Sequence, residues 1–163
     1  MIIIFIHIKE LLWVIRFENF HFNYLESKDL YNILKLRNEV FILEQNCIYQ
    51  DLDDIDLNAH HVLAFIDDRF IGHSRIIKRG LKYKNYSSIG RLVLKKQFRG
   101  NGNGFNLMKY SLNTCKQMYP KDNIKISAQC YLKSFYEDLG FINKGKNYLE
   151  DGIPHCSMFY FKN

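Results

Sequence analysis

The chain has 163 residues, 47% hydrophobic and 25% charged. This is one globular domain's worth of sequence, long enough to bury roughly 70% of its unfolded surface, and it excludes disorder, collagen and coiled coil. With only two prolines and nine glycines it has no low-complexity linker, and no apolar run is long enough to span a membrane. The unusual quantities are 15% aromatic residues and a net charge of +6, which points to a polyanionic partner without saying which one.

Residues 1–13 read as an extension: Ile2–Ile6 is apolar but lacks the basic start and cleavage site of a signal peptide. A single domain is expected over 14–163. Residues 14–22 lean toward a strand. Ser27 is placed to cap a helix in which Leu30, Ile33, Leu34, Val40 and Phe41 recur at helical spacing. The Asp/Asn-rich segment 45–60 reads as a loop or broken helix. Val62–Ile66 and Phe70–Ile77 flank Asp67-Asp68 and suit a hairpin. Ser88–Leu94 is a short strand. Asn106–Tyr119 is an amphipathic helix with Leu107, Met108, Leu112, Cys115 and Met118 inward, stopped by Pro120. Strand Ile124–Gln129, helix Leu132–Leu139 ended by Gly140, and strand Cys156–Phe161 complete the order. The fold class is α+β, a mixed α/β arrangement with antiparallel strands first and a β-α-β-α-β half afterwards.

Charge is segregated. Residues 75–99 hold nine basic residues and no acid, whereas residues 44–68 hold seven acids and no Lys or Arg. Two opposed blocks suggest a site with a phosphate cradle and a cation-friendly wall. Scattered Cys47, Cys115, Cys130 and Cys156 show no close pairing, which suits reduced thiols in a cytoplasmic setting. Asp51, Asp53 and Asp56 do not make a calcium loop, because the Gly and Glu positions counted from Asp51 are Asp56 and Val62. No metal is expected.

The sharpest local signal is Leu92-Val93-Leu94 followed by Arg99-Gly100-Asn101-Gly102-Asn103-Gly104 and then a helix. Strand, glycine turn and helix start form a phosphate site, with free N–H groups aimed at the anion. No Gly-Lys-Ser/Thr follows, and the glycines alternate, so neither a Walker loop nor a dinucleotide fingerprint fits.

Gln97-x-x-Gly100-x-Gly102 resembles the acyl-CoA motif of the GNAT superfamily of N-acetyltransferases, and Phe135-Tyr136-Glu137-Asp138-Leu139-Gly140-Phe141 resembles a second segment of it. The stretches 36–47, 49–53, 89–93, 127–129 and 150–155 look like its ElaA-like branch, so the resemblance covers roughly residues 24–160. It implies a central, mostly antiparallel sheet of six to seven strands flanked by about four helices. It also implies transfer of an acetyl group from acetyl-CoA to a small-molecule or peptide amine. Leu92, Val93 and Leu94 would pair with the pantetheine arm, Arg99 to Gly104 (Gly100, Asn101, Gly102 and Asn103 between them) would hold the pyrophosphate, and Lys95, Lys96 or Lys133 would meet the 3′-phosphate. Tyr136 matches the tyrosine that protonates the departing thiolate in many relatives. A homodimer is also in keeping with the superfamily.

The pattern departs twice. Gln129 stands where many relatives carry an Asn toward pantetheine, and strand 88–94 lacks the glutamate that some use as base. Glu44 is the first alternative base, His155 the second, and His60 or His61 a third; water is the remaining option. An amino-sugar phosphate held by Arg75, Arg79 or Arg91 is a competing acceptor, whereas a free amine would favour the acidic loop. Nucleic-acid binding by the basic run, or a non-catalytic CoA-binding module, are the readings of another class. The former would need interleaved aromatics, and the latter sits poorly with Tyr136.

Overall fold

The computed structural model describes residues 14–162. The 1–13 extension expected from the sequence lies outside them. Strand β1 (Arg16–His21) leads into α1 (Ser27–Arg37), which runs on without a break as a π-helical stretch, Asn38–Glu44. Ser27 is the first helical residue and not the cap; Glu26 holds that position and makes no side-chain cap bond. The 45–60 loop contains one short 3₁₀ turn, Ile55–Asn58. β2 (His60–Ile66) and β3 (Arg69–Ile77) then form the expected hairpin. Asp67 and Asp68 both have positive φ (47° and 60°), as a tight two-residue turn requires.

β4 (Ser88–Leu94) closes a four-stranded antiparallel sheet ordered β1-β2-β3-β4. α2 (Asn103–Met118) follows, then β5 (Ile124–Gln129), α3 (Lys133–Glu137), β6 (Ile142–Asn143), β7 (Tyr148–Glu150) and β8 (Ile153–Tyr160). In the second sheet β5, β6 and β7 all pair with β8, antiparallel. The described residues therefore carry eight strands. The short β6 and β7 account for the excess over six to seven.

The two half-sheets meet at one parallel bridge, Ser87 with Ile124. Ser87 N–H donates to Asn123 O (3.2 Å), and Lys125 N–H donates to Ser87 O (3.0 Å). Beyond that junction β4 and β5 are not hydrogen-bonded to each other, and each presents an edge to the space between them.

Both faces of the first sheet are covered, which is why β2 reads as a nearly continuous apolar run. Val62, Ala64 and Ile66 pack with Leu107, Met108, Leu112 and Cys115 of α2, while Leu63 and Phe65 pack with Ile33, Leu36 and Val40. Met118, expected inward, is only half-buried, its sulfur near the Asn19 amide. Gly72 lets β3 and β4 approach: a methyl there would overlap the Leu94 side chain and stand 2.9 Å from Val93 O. Gly72→Ala is therefore expected to destabilise the fold by about 1–3 kcal/mol through overpacking, read as a lower urea midpoint. An unchanged midpoint would show that Leu94 repacks freely.

Candidate active site

β4 is irregular where it matters. Its register with β3 runs Gly72–Leu94 and His73–Val93, then resumes at Arg75–Gly90, so Arg91 and Leu92 together oppose Ser74. Arg91 takes a left-handed φ of 52°, a conformation costing on the order of 1–3 kcal/mol that persists only where the surroundings over-determine it. They do so here: the Arg91 guanidinium pairs with Asp51 (2.7 Å) and Asp53 (3.4 Å) and donates to Asp51 O (3.0 Å).

Past Leu94 the chain makes a 3₁₀ turn, Lys96–Phe98, and then the glycine turn. Gly100 (φ 87°) and Gly102 (φ 74°) adopt backbone that only glycine takes without strain. Gly102 caps α2 without any side-chain bond, so the first N–H groups of a 16-residue helix remain available to a ligand. Arg99 fastens the turn from two sides. Its Nε donates to Leu94 O (2.9 Å), and its other nitrogens grip the Glu44 carboxylate at the end of the π-helical stretch (3.0 Å for Nη2). The hydrogen bond from Arg99 holds Glu44 below the usual carboxylate range. That makes it a poorer proton acceptor.

A cleft of about 930 Å³ lies between the diverging edges. It gathers Leu92, Val93, Leu94, Arg99, Gly100, Gly102, Gly104, Gln129, Tyr136, Glu44 and His155, residues far apart in sequence. Asn101 and Asn103 are not among its walls. They line a shallower depression of about 440 Å³ with Ile15 and Phe17, and Asn103 donates to Phe98 O (2.9 Å), pinning the turn. Gln129 donates to Gln45 Oε1 (3.2 Å), linking the second sheet to the end of the π-helical stretch.

Tyr136 is 8% exposed, with its ring edge-on to Phe135 and Phe141. Burial pushes its phenol well above the ordinary range, so it stays protonated and is able to donate. His155 sits beside Gln129 in the β5–β8 register and stacks on Tyr148. Its Nδ1 is 2.8 Å from Ile153 O. A carbonyl only accepts, so Nδ1 carries a proton, and Nε2 is the nitrogen left to exchange one.

Other expectations are corrected. His60 and His61 do not line the cleft; His61 is buried against His73 (3.1 Å) and Asp56 O (3.0 Å), and burial lowers its basicity. The acidic and basic blocks do not form opposite walls, because they pair with each other. Arg37 and Arg75, whose side chains are fully buried, bind Asp51, Asp53 and Asp56 at 2.6–2.8 Å. Arg79 pairs with Asp122 (3.3 Å). Arg75 is therefore unavailable to an acceptor phosphate, and the aspartates are unavailable to a free amine. Arg37 went unread because a single Arg on an amphipathic helix carries no local sign of its distant partners. Lys82, Ser127 and Glu150, which also line the cleft, were missed for the same reason.

A broken ladder, an open strand edge and a glycine-capped helix converge on one cleft, and sequence comparison agrees with that geometry. The acetyltransferase (GNAT) domain model matches residues 25–160. The chain belongs to the GNAT acetyltransferase family. Within it the chain is ElaA-like: it is 37% identical over 147 residues to protein ElaA of Escherichia coli, covering 89% of this chain and 95% of that one. A UPF0039 protein of Schizosaccharomyces pombe is also 37% identical, over 85% of this chain and 91% of its own. Among solved structures, E. coli ElaA superposes with a TM-score of 0.84 at 35% identity, over 91% of this chain and all of that one. An acyl-CoA N-acyltransferase from Pseudomonas aeruginosa gives 0.84 at 33%, with the same coverage. The GNAT fold expected from the motifs is thus the fold found, and the chain is an acetyltransferase by family. No helix among the described residues is long and apolar enough to cross a membrane.

Proposed function

We propose that the chain transfers an acetyl group from acetyl-CoA to a primary amine by direct attack. The observation that carries this is the continuity of the unpaired β4 edge with the uncapped N-terminus of α2 inside one cleft. The pyrophosphate binds at the cleft-lining part of the turn, at Arg99, Gly100, Gly102 and Gly104. The pantetheine arm adds to Leu92–Leu94 as a short strand, with the Gln129 amide opposite. The thioester then reaches the bulge, where a β4 backbone N–H receives the developing oxyanion.

The amine nitrogen forms a bond to the acyl carbon as the C–S bond breaks. His155 Nε2 takes the proton lost by nitrogen, and Tyr136 gives its phenolic proton to the CoA thiolate. Glu44, bound to Arg99, holds the turn in shape and is not the base. Holding both reactants in one cleft supplies much of the rate.

Acetyl-CoA at a hundred times its dissociation constant would add about 2.7 kcal/mol to stability, a rise of about 5–10 °C in melting temperature for a domain of this size. NAD and ATP should give no comparable rise. Equal shifts with all three, or none with acetyl-CoA, would overturn the proposal.

A further inference from the structure

The inference concerns the acceptor and rests on the reading just given. β4 and β5 run the same way from the Ser87–Ile124 bridge, so three residues along each strand Gly90 stands across the gap from Ser127. The glycine turn lies at the other end, past Leu94. A CoA entering from the turn presents its acyl group near Arg91 and Leu92, and the remaining space, toward Gly90 and Ser127, is where an acceptor has room.

That end carries two unlike charges. Glu150 closes β7 just before the turn at Asp151 (φ 50°) and Gly152 (φ 78°), which fixes the strand's position against β8. Ser127 Oγ–H donates to Glu150 Oε2 and stands 2.6 Å from the Tyr148 hydroxyl. A carboxylate only accepts, so the chain runs from Tyr148 to Ser127 to Glu150. It locks one carboxylate oxygen and leaves Oε1 with no hydrogen bond from the described residues.

Lys82 lines the same cleft from the loop between β3 and β4. Burial lowers the basicity of its ammonium, and the Glu150 charge partly offsets that effect. Among the described residues neither Lys82 nor Glu150 is in an ion pair. Arg91, by contrast, is already neutralised by Asp51 and Asp53. Taking charges out of water without pairing them is costly unless a ligand supplies the counter-charges.

We infer that this end of the cleft recognises a zwitterionic acceptor of the amino-acid class, its amine against Glu150 and its acidic group against Lys82.

The test uses the full chain, acetyl-CoA, and a panel of the protein amino acids with their amides and the matching decarboxylated amines, read as thiol release. At least one amino acid should exceed its amide and its decarboxylated amine by about tenfold or more in kcat/KM, the weight of about 1.4 kcal/mol. Lys82→Met should bring that amino acid down to the level of its amide, mostly through KM, and Lys82→Arg should restore part of the preference. Glu150→Gln should raise KM for amino acid and amide alike. Amines accepted without regard to the acidic group, or a preference that survives Lys82→Met, would overturn the inference while leaving acetyl transfer intact. No transfer to any acceptor, together with no stabilisation by acetyl-CoA, would overturn the underlying reading and this one with it.

Discussion

Asp56→Ala is expected to cost about 3–5 kcal/mol of stability, lowering the melting temperature by on the order of 10 °C. Asp56 Oδ1 accepts from Arg37 and from Arg75, each at 2.8 Å, and both guanidinium groups are fully buried. Removing the carboxylate leaves the buried Arg37 and Arg75 sharing with Arg91 the remaining charges of Asp51 and Asp53. Burial alone would raise the Asp56 pKa, yet Arg37 and Arg75 pull it far below the ordinary carboxylate value. A depressed carboxylate stabilises the fold above its unfolded pKa, near 3.9, and that contribution fades as pH falls through the folded value. The gap between wild type and Asp56→Ala should therefore be full at neutral pH and narrow below about pH 4. Urea titrations across that range measure both, and a neutral-pH loss under about 1 kcal/mol would show the network to be dispensable.

Tyr136→Phe should lower kcat about a hundredfold, with KM for acetyl-CoA little changed. Only the hydroxyl is lost. The ring packing on Phe135 and Phe141 is kept, so the variant should fold, and the effect is on chemistry. Burial raises the phenol's pKa, so in the proposed mechanism it serves as a donor, and its loss should appear without a new basic limb in the pH–rate profile. An unchanged kcat would hand protonation of the thiolate to water. A fall in CoA affinity with kcat preserved would make Tyr136 a wall of the cleft and nothing more.

What the chain discloses locally, it disclosed in sequence. Asp67-Asp68 between two apolar runs marked the β2–β3 hairpin, helical spacing marked α2, and the alternating glycines marked its start. What depends on distant partners was not legible. Arg75 meets residues 19 and 22 positions away, and Arg91 meets one 40 positions away. No window contains both members, so the two charge blocks read as separate walls. The bulge at Arg91 is equally non-local, because it needs the Asp51–Asp53 pair to hold it. The β7–β8 hairpin is different: Asp151-Gly152 is a strong two-residue turn signal, but β7 before it has only 3 residues, too few to show a period.

Ser87 joins the first half-sheet to the second through its bridge with Ile124. Since backbone bonds stitch the halves at a single point, the width of the gap beyond it is set by the apolar side chains of α2, which pack under both sheets. Such packing is non-directional and yields in small steps, whereas a hydrogen-bonded ladder has one spacing. Met108 belongs to this packing and also forms part of the cleft wall, with a long unbranched side chain that adapts to irregular space. The gap is thus held by packing that can yield, and a change of bulk at position 108 is expected to alter the width of the cleft.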